Sequence, residues 1–107
     1  MSVNDNLNAE EKDGSTGLMW AAFAGQKEKA EFLIKEGADM NATNKYGSTA
    51  LMWAVVKGYT EVTELLIKAG ADVNTKNSYG KTALKYARDK DHDDIVQLLL
   101  KAGAAED

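Results

Sequence analysis

The sequence contains no cysteine and no proline. Without cysteine the chain can form no disulfide, no thiolate metal site and no cysteine nucleophile. This fits a reducing compartment, so we expect an intracellular, cytoplasmic protein. Residues 1–6 lack the basic and apolar regions of a secretory signal, and no secretion is expected. There is also no run of 18 apolar residues, so we expect no contact with a membrane.

Charge argues against nucleic acid as a partner. The 17 acidic and 13 basic side chains give a net charge of −4. Binding to phosphates needs a basic face, which an acidic-leaning chain is poorly placed to supply. The length of 107 residues suits a single domain, and we assign residues 1–107 to one.

What the chain does contain is a pattern that occurs three times. Its glycines, Gly14, Gly47 and Gly80, stand 33 residues apart, a period typical of stacked repeat proteins. We define three units, 11–43, 44–76 and 77–107. Residues 1–10 end in a segment that falls one period before residues 39–42, so we interpret them as the tail of a partial preceding repeat.

Each unit is predicted to hold a turn and two helices. Asn44 and Asn77 begin the turns, where a short polar side chain can accept hydrogen bonds from the backbone ahead. A threonine then supplies the N-cap of a short first helix, as Thr49 does in the second unit. The second helix repeats apolar residues at helical spacing, for example Val62 and Leu66. No unit can bury this stripe alone, so neighbouring units must stack.

These residues resemble the ankyrin repeat family. The matching features are Gly-x-Thr-x-Leu at the first helix and Gly-Ala-Asp-x-Asn at 37–41 and 70–74. The resemblance covers residues 11–107 and implies an all-α solenoid of three stacked helix-turn-helix units with projecting β-turn fingers. The family's Thr-Pro-Leu-His becomes Thr49-Ala50-Leu51-Met52 in the second unit, so the proline and histidine that order this turn in the family are missing.

No residue pattern points to catalysis, and we predict no enzyme activity, no cofactor and no metal. The single histidine, His92, lies in the acidic run Asp-His-Asp-Asp at residues 91–94. It could serve as a metal ligand or a general base. The interpretation that we favour is the solvated start of a helix, where acidic residues complement the helix dipole.

Aromatic residues recur at equivalent positions and mark a candidate binding face. Trp20, Trp53 and Tyr86 share one position in the first helices, and Tyr46 and Tyr79 share one in the turns. The resemblance implies that turns and first helices line the concave side of the stack, where family members mostly bind proteins. Aromatic residues are favoured anchors in interfaces. The predicted protein-binding residues are Lys12, Asp13, Trp20, Phe23, Lys45, Tyr46, Ser48, Trp53, Val56, Ser78, Tyr79 and Tyr86.

Two alternatives stay open. The tryptophans could be packing residues that bridge adjacent first helices, which is compatible with a role in binding. The chain could also be an engineered scaffold or an excised fragment of a longer array, with no partner of its own. We expect a monomer, with self-association through the aromatic face as the competing outcome.

Overall fold

The computed structural model describes residues 16–106. These residues form six α-helices and no strand, arranged as three helix pairs. The bounds are α1 Gly17–Ala24, α2 Lys27–Lys35, α3 Ala50–Lys57, α4 Thr60–Lys68, α5 Ala83–Asp89 and α6 Asp93–Lys101. The predicted all-α solenoid is confirmed. None of the six helices is long and apolar enough to cross a membrane.

The threonines cap the first helices as predicted. The hydroxyls of Thr16, Thr49 and Thr82 accept hydrogen bonds from the backbone N–H three residues later, at 3.3, 3.2 and 3.2 Å. Each threonine has extended backbone angles, as an N-cap residue does. The cap therefore fixes the start of each first helix even though proline is absent.

The first helices end differently in the second and third units. Gly58 ends α3 in the left-handed conformation, with φ of 75°, and donates its N–H to the end of the helix. A Cβ at this position would lie 2.9 Å from the ring of His92, which would have to shift, and the left-handed backbone itself favours glycine. In the third unit Asp91 stands at the equivalent position with φ of 58°, and α5 has only seven residues.

The helices stack in two layers. In one layer α3 packs against α1 and α5, and in the other α4 packs against α2 and α6. The core lies between the layers, where Leu51, Leu66 and Leu99 are at most 1% exposed. Each buried leucine contributes about 1.5–3 kcal/mol relative to its exposed state. Stacking therefore covers the apolar stripe that no single unit could bury.

Backbone contacts also join neighbouring units. The N–H of Ser78 donates to the carbonyl of Tyr46 at 2.8 Å, which links the second and third fingers. Farther along, Asn41 accepts a hydrogen bond from the N–H of Asp72, and Asn74 accepts one from the N–H of Ala105, both at 2.8 Å. The two asparagine contacts repeat with the period of the sequence, so they fix the spacing of the units.

Candidate protein-binding groove

A groove of about 430 Å³ lies between the second and third units, where two fingers meet two first helices. Six of the predicted binding residues line it together. The lining residues are Asn44, Tyr46, Ser48, Met52, Trp53, Val56, Tyr79 and Tyr86. Residues from different units thus converge on one surface, which we call the aromatic groove.

Two tyrosines form the finger side of the aromatic groove. The rings of Tyr46 and Tyr79 stack with centroids 6.2 Å apart and planes 24° apart. They are 41% and 66% exposed, so their faces remain accessible. Each finger is held rigid by its asparagine: Asn44 Oδ1 accepts from the N–H groups of Tyr46 and Ser48 at 2.9 and 3.0 Å.

A row of three aromatic rings extends from the groove toward the first unit. The ring of Phe23 contacts those of Trp53 and Trp20 edge to face, with ring centroids 5.3 and 5.9 Å apart. Trp20 and Phe23 are 47% and 38% exposed. Aromatic rings in this geometry gain a favourable interaction energy in addition to that from burying their apolar area. The row joins the surface of the first unit to the aromatic groove.

Trp53 and Tyr86 form the base of the groove and also pack against the core. The sequence left open whether Trp53 packs or faces a partner, and its contacts allow both. Tyr86 differs from Trp53 because its hydroxyl accepts a hydrogen bond from Asn77 Nδ2 at 2.8 Å. Indole offers no such oxygen, and the equivalent Asn44 Nδ2 is buried without a partner among the described residues.

Lysines lie over the aromatic rings. The Nζ atoms of Lys45, Lys57 and Lys81 lie 5.1, 5.0 and 5.3 Å from the ring centroids of Tyr46, Phe23 and Tyr86. Cation–π contacts at exposed sites contribute about 0.5–1 kcal/mol each. These contacts position positive charge at the edge of the apolar surface.

Asp89 carries the only carboxylate of α5, and two lysines surround it. Its oxygens lie 3.3 Å from the Nζ atoms of both Lys81 and Lys85. The hydrogen bond from Lys81, followed by the hydrogen bond and charge of Lys85, lowers the pKa of Asp89 below its ordinary value. The carboxylate therefore stays ionised and ties the third finger to its first helix.

The remaining predicted binding residues lie around the groove or outside the described part. Lys45 and Ser78 belong to the fingers, and both are exposed. Lys12 and Asp13 lie outside the described residues, so their prediction is untested. Sequence reasoning missed Asn44 and Met52 as lining residues. The buried turn asparagine was visible in the sequence, but its position under the groove follows only from stacking.

Nothing in residues 16–106 assembles a metal centre, since no group of three histidine, cysteine or acidic residues could hold an ion. His92 is the N-cap residue of α6, and its ring lies over Gly58. Tyr59 occupies the same place over Gly25 in the preceding unit. The position thus serves the packing between units, with Asp93 and Asp94 in the first helical turn.

A family model described as ankyrin repeats (3 copies) matches residues 2–77 and 18–107. Comparison with curated proteins found no significant match.

Proposed function

Because the chain belongs to the ankyrin repeat family, whose members are generally protein–protein interaction modules, we propose that it binds a partner protein through the aromatic groove. The family is typically non-enzymatic, and the proposal includes no catalysis. The observation that carries it is the convergence of six residues from two units on one groove with accessible rings. Few residues usually supply most of an interface's binding energy, and tyrosine and tryptophan are prominent among them.

Rigidity supports this site as well. The fingers are fixed by asparagine hydrogen bonds and by the bond from Ser78 to Tyr46. A surface already held in shape loses little conformational entropy on binding. We place the protein in the cytoplasm, supported by its lack of cysteine.

The test compares partner capture by three forms of the protein. Wild type, Tyr46→Ala/Trp53→Ala and Phe32→Ala are immobilised and exposed to one cell lysate, with bound proteins quantified by mass spectrometry. Phe32 is a matched control because it is 46% exposed but belongs to α2, away from the groove. We expect a set of proteins captured by wild type and Phe32→Ala and lost from the double variant.

Two outcomes would contradict the proposal. Captured proteins that bind the double variant equally well, with its circular dichroism unchanged, would place the interface elsewhere. No reproducible partner would favour a scaffold or fragment without one. Light scattering over a concentration series distinguishes a monomer from the alternative of self-association through the aromatic face.

A further inference from the structure

The two layers of the molecule carry opposite charge. The fingers and first helices of the second and third units, residues 44–57 and 77–90, hold six basic side chains and one acidic. The acidic residue is Asp89, and the basic ones are Lys45, Lys57, Lys81, Lys85, Arg88 and Lys90. The second helices and their linkers, residues 25–43, 58–76 and 91–106, hold six basic and eleven acidic side chains. Although the net charge of the chain is negative, the fingers and first helices of the second and third units therefore form a basic face.

Three lysines of this face, Lys45, Lys57 and Lys90, have no acidic partner in residues 16–106. Lys81 and Lys85 both pair with Asp89, which leaves this trio with a net charge of +1, and Arg88 pairs with Glu106 at the end of the stack. Lys45 and Lys57 contact only aromatic rings, those of Tyr46 and Phe23. Their charges lie beside the aromatic groove and are available to an incoming anion.

The aromatic groove suits an apolar side chain. Six of its eight lining residues are tyrosine, tryptophan, methionine or valine, and the other two are Asn44 and Ser48. Its volume lies in the range of about 300–1,000 Å³ found for small-molecule sites. One large aromatic or aliphatic side chain with its adjoining backbone fits such a space. Trp53 and Tyr86 would contact this side chain from below, and Tyr46 and Tyr79 from the finger side.

We propose that the partner of the aromatic groove is an acidic peptide segment, in which one large apolar side chain is flanked by carboxylates that pair with Lys45 and Lys57. This inference rests on the proposed function and adds the chemistry of the partner. Complementary charge would steer the segment to the basic face and set its orientation, while the apolar side chain supplies contact area.

Single-stranded nucleic acid also combines negative charge with groups that stack on aromatic rings. An acidic peptide fits better for two reasons. The three lysines without an acidic partner can neutralise only about three phosphates, which is few for a polyanion. The net charge of −4 on the whole chain also opposes a long polyanion more strongly than a short segment with a few carboxylates.

The test is a selection from a display library of random 12-residue peptides against the wild-type protein. We expect the selected peptides to share an aromatic or large aliphatic residue flanked by aspartate or glutamate. The strongest synthetic peptide is then measured by fluorescence anisotropy against Lys45→Gln/Lys57→Gln. We expect binding to weaken about fivefold, with a shallower salt dependence, because two exposed ion pairs are lost.

Lys35→Gln/Lys68→Gln is the matched control, since it removes the same charge from exposed positions of α2 and α4. It should bind as wild type does. Trp53→Ala reports on the groove itself and should abolish binding. Circular dichroism of every variant checks that the fold is kept.

Each other outcome overturns the proposal in a distinct way. Neutral or basic peptides that need Trp53 would refute the acidic partner while leaving the proposed function intact. Peptides indifferent to Trp53→Ala, or no selected peptide at all, would overturn both. Tighter binding of an oligothymidine probe than of the peptide would assign the face to nucleic acid. A dimer that blocks peptide binding would assign it to a second copy.

Discussion

The second and third units share one backbone design and differ in how they complete it. Both fingers are closed by an asparagine that accepts two backbone hydrogen bonds, and both first helices begin at a threonine cap. In the third unit Asn77 also donates to Tyr86, whereas Asn44 Nδ2 beside Trp53 has no partner within residues 16–106. The second unit thus has an indole at the groove and lacks the equivalent of the hydrogen bond between Asn77 and Tyr86.

A second difference lies in the second helices. Thr63 of α4 is fully buried and its hydroxyl has no partner among the described residues, while Val96 occupies the equivalent position of α6. The third unit has its own unfavourable feature, since Asp91 takes the left-handed conformation that glycine adopts at position 58. Because caps, turn and apolar stripe all specify the same helix pair, each local defect lowers stability without changing the fold.

The finger asparagines should give the largest difference between the units. Asn77→Ala removes the acceptor for the N–H groups of Tyr79 and Lys81 and the donor to Tyr86. We expect it to lower the free energy of unfolding by about 3 kcal/mol. Asn44→Ala removes the same two acceptor contacts, but its donor has no partner in the described part of the chain, so its cost should be nearer 2 kcal/mol.

Urea denaturation followed by circular dichroism measures both variants. The comparison fails if Asn44→Ala destabilises as much as Asn77→Ala. That result would mean that the donor of Asn77 adds nothing to the stability of the third unit.

Removing the hydroxyl of Tyr86 should leave the asparagine of the third finger without its side-chain acceptor, as in the second finger. Tyr86→Phe leaves Asn77 Nδ2 buried without its 2.8 Å partner. We expect a loss of about 1–2 kcal/mol, the usual cost of an unsatisfied buried group. The double variant with Asn77→Ala should lose little more than Asn77→Ala alone, because both changes remove the same bond. Additive losses in the denaturation curves would contradict this.

The helix pairs could be predicted from the sequence, and the details of the groove could not. The capping threonines and the apolar stripe each determine structure within one short segment, and the fixed period shows that the segment is repeated. All three can therefore be recognised in the sequence alone. The aromatic positions, such as Tyr46 and Trp53, followed from the same period. The contact of Lys57 with Phe23 joins residues of different units and depends on the stacking distance. Among the described residues Asn44 Nδ2 has no partner because the indole of Trp53 supplies no oxygen where Tyr86 does, and that contact is defined only once the turn packs on the first helix.

Copying a residue of the third unit into the second should stabilise the protein. Thr63→Val keeps the shape of the side chain, removes a buried hydroxyl without a partner and reproduces the residue at position 96. We expect a gain of about 1 kcal/mol in the free energy of unfolding. The reverse change, Val96→Thr, should cost less than this, because Val96 is only partly buried. A loss of stability in Thr63→Val would show that the hydroxyl contributes to the fold.

Copying a residue of the second unit into the third should also stabilise the protein, by a smaller amount. Asp91→Gly relieves a left-handed backbone, with φ of 58°, and removes one charge from an acidic run. We expect a gain of about 0.5–1 kcal/mol, partly offset by the greater freedom of the unfolded chain. Gly58→Ala is the control and should be destabilising, because alanine is strained at a φ of 75° and its Cβ would displace the ring of His92. Equal melting temperatures for wild type and Asp91→Gly would exclude significant strain at Asp91.

Position 89 should give the smallest effect, visible only through its pH dependence. The second unit has Val56 where the third has Asp89, whose pKa is lowered chiefly by the hydrogen bond from Lys81. A carboxyl with a lowered folded pKa stabilises the protein above its unfolded pKa of about 3.9, and this contribution disappears as pH falls through the folded value. Asp89→Val, the residue of the second unit, should therefore flatten the acid side of the profile of melting temperature against pH. Carbon-13 NMR titration of Asp89 measures its pKa directly. An ordinary or raised pKa would mean that Asp89 does not pair with Lys81 and Lys85, and that both lysines are free beside the groove.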